Sequence, residues 1–188
     1  MGYIASHIAT VPSTGFQWYL IFLEGPFADE IKKEIDAHFL TLAREVGKNV
    51  LVVRGFDPSA FRQSVYEAPA FFDETWRKRA EFPALIVTNR VPSEAVSDAN
   101  TLEKGKVMIF PLAGVYREHK SIAGFLTELV DALKQEDAIR SLEDLDGNKL
   151  QKGWGWLGRY FKLEPGFFGF NLKLNSAIKD LLATSRTS

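Results

Sequence analysis

An α/β fold is predicted for this chain by two patterns and one spacing. Four short runs rich in branched and aromatic residues read as strands. Between them lie stretches whose apolar residues recur every three or four positions, the period of one helix face. The two strand runs between Pro83 and Leu112 have no helical stripe between them. Strands joined by helices pair in parallel, and strands joined without one close as an antiparallel hairpin. The expected order is therefore β-α-β-α-β-β-α. With 188 residues, 46% of them hydrophobic and 25% charged, the chain is long and apolar enough to bury such a core.

Residues 1–15 carry no strong periodicity and are expected as an N-terminal extension. Phe16 to Glu24 (Phe-Gln-Trp-Tyr-Leu-Ile-Phe-Leu-Glu) is the first strand, closed by a turn at Gly25-Pro26. Ile31, Ile35, Phe39, Leu42 and Val46 then mark a helix whose end suits Gly47. Asn49 to Arg54 is the second strand. Asp57-Pro58 follows the pattern of a helix start, with Asp as cap and Pro in the first helical position. Helix is expected over Ser59–Tyr66 and, past Pro69, over Ala70–Arg79. Pro83 to Thr88 is the third strand, and Asn89 to Gly105 is polar and aperiodic. Lys106 to Leu112 is the fourth strand, with Pro111 marking a terminal or edge position. A last amphipathic helix carries Ile122, Phe125, Leu126, Leu129, Val130 and Leu133.

The order and length of these elements, the run Glu81-Phe-Pro-Ala-Leu-Ile-Val-Thr88 and the closing strand and helix up to Lys134 resemble the thioredoxin-like fold. The resemblance covers Phe16 to Lys134 and implies a three-layer core over residues 16–135. It also implies that the Phe82–Pro83 bond is cis and that Pro83 is a fold marker. A flavodoxin-like or TIR-like layer is the competing architecture, with Pro83 an ordinary strand-start residue. Redox members of the family carry Cys-x-x-Cys where this chain reads Glu24-Gly-Pro-Phe-Ala-Asp29, so the resemblance implies a scaffold without redox activity.

Residues 136–188 form an expected β-α appendage packed on the core. Between Gly153 and Phe170, seven of the 18 residues are aromatic and five are glycine. Phe168, Phe170, Leu172 and Leu174 then alternate with Gly169, Asn171 and Lys173 as in a half-buried strand. Trp and Tyr dominate interface hot spots. Trp154, Trp156, Arg159, Tyr160 and Phe161 are accordingly candidates for a partner-binding surface, the alternative being that the rings fill space between appendage and sheet. Gly153-x-Gly155-x-x-Gly158 spells a dinucleotide fingerprint, but no strand precedes it and the interleaved Trp residues would crowd a pyrophosphate.

Charge and composition exclude several functions. Lys and Arg total 23 against 24 Asp and Glu, a net charge of −1, so whole-molecule attraction to nucleic acid is not expected. The chain has no Cys and only three scattered His, which removes thiol chemistry and leaves a metal site without support. The longest apolar run, Trp18 to Leu23, falls far short of the roughly 20 residues of a membrane span. No secretory signal pattern opens the sequence, so a cytoplasmic protein without membrane contact is expected. Glu24, Arg54 and Asp57 fall at the C-terminal ends of the first two strands, where open α/β sheets bind ligands. They form an alternative ligand site for a nucleotide, with Mg²⁺ as a candidate companion ion, or else charged strand ends with Asp57 as a helix cap. Arg77, Lys78 and Arg79 suit a helix C-terminus, and His119 is expected in a loop. The functional expectation is a non-redox binding or accessory module whose partner is another protein, with no cofactor. A nucleotide-binding or nucleotide-processing protein with its site at the sheet edge is the alternative.

Overall fold

The computed structural model describes residues 1–26, 28–68, 71, 81–94, 96 and 107–134. It is a mixed α/β structure built on one five-stranded sheet. In chain order the elements are β1 (Gly2–Ala5), a 3-10 turn (Ile8–Thr10), β2 (Trp18–Leu23), α1 (Asp29–Glu45) and β3 (Val50–Gly55). They continue with α2 (Pro58–Glu67), β4 (Ala84–Thr88), β5 (Val107–Pro111), α3 (Leu112–His119) and α4 (Ala123–Lys134). The strands lie in the order β1-β3-β2-β4-β5. β1 and β2 run parallel to β3, whereas β2–β4 and β4–β5 are antiparallel.

The continuous apolar run of β2 follows from its central position. All six residues, Trp18 to Leu23, are buried. Because strand side chains alternate between faces, Trp18, Leu20 and Phe22 enter one core and Tyr19, Ile21 and Leu23 the other. The first core is closed by α1, α3 and α4 through Ile35, Phe39, Val115, Phe125 and Leu129, among others. The second is closed by α2 and the N-terminal segment through Phe61, Val65, Ile8 and Val11. Each fully buried side chain of this size contributes about 1.5–3 kcal/mol relative to exposure.

Local chemistry sets the helix ends. Asp57 accepts the Ser59 and Ala60 N–H groups at 2.9 and 3.0 Å, with Pro58 in the first turn, so the expected cap is formed. Gly47, at φ +86°, takes the left-handed conformation that follows α1. The Phe82–Pro83 peptide bond is cis.

Two elements depart from the expectation. Residues 1–15, read as an extension, supply the edge strand β1 and the 3-10 turn. β1 contains only one buried residue, Ala5, so it has no apolar pattern of its own and is defined by pairing with β3. The turn is tied to α2 by Ser64, whose hydroxyl accepts the Ile8 N–H at 3.0 Å and donates to the Phe61 carbonyl at 2.7 Å. The second departure is α3: Leu112 opens a helix rather than ending a strand, and His119 lies in that helix's last turn, not in a loop. Two turns with Leu112 and Val115 as the buried residues are too short to register as a periodic stripe. Pro111 ends β5, which is the other edge of the sheet, as its lack of an N–H requires. The stretches read as helix at Ala70–Arg79 and as the appendage at 136–188 lie outside the described residues, apart from Phe71, which is buried against the α2 face.

Candidate functional site

The C-terminal ends of β2 and β3 meet the N-terminal half of α1 and carry a cluster of charged side chains. Glu24 directly follows β2 and is only 5% exposed. Its Oε1 accepts a 2.9 Å hydrogen bond from Nη2 of Arg54 on β3. The same guanidinium donates through Nη1 to Oδ1 of Asp36 on α1. Lys32, one turn earlier on α1, donates to Asp36 Oδ2 at 2.8 Å and stands 3.9 Å from Glu24 Oε2. Glu24 Oε2 is buried and accepts no hydrogen bond. The Arg54 guanidinium also rests 5.5 Å from the Phe39 ring centre, in cation–π range.

A second arginine braces the same loop from the other face of the sheet. Arg62 on α2 donates to the Glu24 backbone carbonyl, and its guanidinium lies 5.5 Å from the centre of the Phe82 ring. Gly25 packs against the Phe82–Pro83 peptide. A Cβ there would come within 2.9 Å of both the Phe82 carbonyl carbon and the Pro83 nitrogen, backbone atoms that cannot give way.

Two carboxylates and two cations of the inner cluster cancel, and Arg62 adds a single positive charge. Partial burial works against the Asp36 charge, but hydrogen bonds from Lys32 and Arg54 outweigh it and hold the carboxyl below the usual range. A general acid or base at neutral pH needs the opposite, a carboxyl pushed up towards neutrality. Among the described residues no group of three or more His, Cys, Asp or Glu could hold a metal ion. Asp36 is thus held as a charged partner of Lys32 and Arg54.

Of the residues singled out by sequence, Glu24 and Arg54 are brought into direct contact. Asp57 instead spends Oδ1 on the α2 N-terminus. Pro83 stands behind the Glu24–Gly25 loop. Trp154, Trp156, Arg159, Tyr160 and Phe161 lie outside the described residues. Lys32, Asp36, Arg62 and Phe82 were missed. The i,i+4 spacing of Lys32 and Asp36 was the available signal for a helix-surface pair, but only tertiary packing turns that pair towards Arg54. No helix among the described residues is long and apolar enough to cross a membrane. Compared with known proteins, the chain matches no family model, no curated protein and no solved structure.

Proposed function

We propose that the chain is a non-redox, thioredoxin-like module that binds another protein and catalyses no thiol chemistry. Support for the thioredoxin-like layout comes from the strand order β1-β3-β2-β4-β5, with three parallel strands followed by an antiparallel pair and helices on both faces. One observation carries the functional reading: the loop that would hold sulfur in a redox relative is Glu24-Gly25-Pro26, with the Glu24 carboxylate bound to Arg54. The nucleotide alternative loses support because Arg54 at that sheet edge is engaged by two carboxylates, Glu24 and Asp36, and Lys32 beside it is paired with Asp36. Phosphate would have to displace both.

The partner surface we assign is the aromatic stretch Trp154, Trp156, Arg159, Tyr160 and Phe161. Affinity capture with the full chain, followed by the same capture with Trp154→Ala and Trp156→Ala, tests it. The expected result is a reproducible partner lost by at least one substitution while the melting temperature holds, since an interface Trp can contribute more than about 2 kcal/mol of binding. Capture that survives both substitutions, or a large stability loss in both, overturns the assignment. A thermal-shift panel of nucleotides with Mg²⁺ is expected to be flat. A ligand at about 100 times its Kd would add about 2.7 kcal/mol of stability, so a shift of several degrees would favour the nucleotide alternative.

A further inference from the structure

We propose that Arg62 anchors a carboxylate of the bound protein at the end of the sheet where β2 and β3 finish. The contact presupposes that the chain binds a protein, as proposed above, and adds a second point of attachment to the aromatic stretch. Arg62 lies on α2, is partly buried, and holds its guanidinium beside the Phe82 ring. Nη1 donates to the Glu24 backbone carbonyl. Among the described residues the rest of the fork makes no hydrogen bond and no carboxylate pairs with it. Arg54, by contrast, holds both Glu24 and Asp36. Glu24 gives Arg62 only its carbonyl, because its carboxylate is turned to Arg54 on the other face of the sheet. Glu81, next to Phe82 in the chain, and Asp57, at the start of α2, form no ion pair with Arg62 either.

Charge and shape select the ligand group. A guanidinium partly withdrawn from water and laid on an aromatic ring interacts more strongly with an anion than an exposed one does, because the local dielectric is lower. Nε and Nη2 remain for two parallel N–H···O bonds, the geometry in which arginine takes a carboxylate. The site fits one negative charge rather than the two of a phosphate. The α2 N–H groups of Ser59 and Ala60, which would serve a phosphate, are already taken by Asp57. The neighbouring cations Lys32 and Arg54 are spent on Asp36 and Glu24. Apolar contact is available at the same end of the sheet: Phe56, directly after β3, is 82% exposed. Arginine with aromatic neighbours is the composition of an interface hot spot.

A random-peptide display library selected on the full chain tests the anchor. Enriched peptides are synthesised with free and with amidated C-termini, and with each Asp or Glu changed to its amide, and their affinities are measured by fluorescence anisotropy. The expected result is one essential carboxylate whose conversion to an amide weakens binding at least about ten-fold. The two forms of the C-terminus show whether that carboxylate is terminal or a side chain. Arg62→Gln should weaken the acidic peptide to the same extent and leave its amide form unchanged, the signature of direct coupling in a double-mutant cycle. Arg62→Lys keeps the charge without the fork and should retain part of the affinity; it supplies the cycle if Arg62→Gln fails to fold. No enriched peptide overturns the proposal, as do binders without an acid, or an acid whose loss costs the same in the wild type and the Arg62 variants. Trp154→Ala and Trp156→Ala are measured alongside. Peptides that need those rings and ignore Arg62 overturn the anchor and leave the protein-binding reading standing. Peptides that need Arg62 and ignore both rings support the anchor and remove the aromatic assignment.

Discussion

Arg54 holds two carboxylates at once, with Glu24 buried and Arg54 itself 16% exposed. Replacing Arg54 with Met removes the close partner of a buried charge and leaves Lys32 at 3.9 Å as its nearest cation. The expected loss is about 3 kcal/mol of unfolding free energy in urea titration, because an uncompensated buried charge is costly. The double variant Glu24→Gln with Arg54→Met should recover part of that loss, which a double-mutant cycle would measure directly. Asp57 is a cleaner case. Its side chain closes two N–H groups at the start of α2, so Asp57→Ala should lower stability by about 1 kcal/mol without altering the fold. Asp57 was legible from sequence as a cap because Asp-Pro chemistry is local. The contact of Glu24 with Arg54 was not, because 30 residues separate them and only strand register brings them together.

At the level of elements, α1 is amphipathic in two senses. Ile31, Ile35, Phe39 and Leu42 face the core, and Lys32 with Asp36 faces the sheet edge. The apolar stripe was readable from its period. The polar pair became part of a network only when α1 crossed above β3. This network predicts an acid sensitivity. The Asp36 carboxyl is held below its ordinary 3.8 in the folded chain. A lowered acid pKa contributes stability that is fully present above the unfolded value and disappears as pH falls through the folded one. Melting temperatures measured from pH 7 down to pH 2 should therefore drop below about pH 4, and Asp36→Asn should flatten that part of the profile. α2 offers a packing test. Phe61 is 1% exposed between α2 and the sheet, so Phe61→Ala should cost about 3–5 kcal/mol, seen as an earlier urea midpoint.

For the whole molecule, the absence of cysteine makes one expectation unconditional: reductant should leave the melting temperature unchanged, and the pure protein should reduce no insulin disulfide. The α/β class and the ends of most elements follow from the sequence because apolar period, turn residues and caps are local properties that each segment carries by itself. So does the exclusion of thiol chemistry, which depends on composition alone. The edge strand β1, the short helix α3 and the neighbours of Glu24 were decided by tertiary structure. β1 has one buried residue and gains its conformation from the hydrogen bonds of β3. α3 buries two residues, too few to impose a period. The ion cluster joins β2, β3 and α1 across a sheet in which β2 lies between β3 and β4. Strand order is chosen by how two apolar faces are covered at once, and that choice involves the whole chain rather than any segment of it.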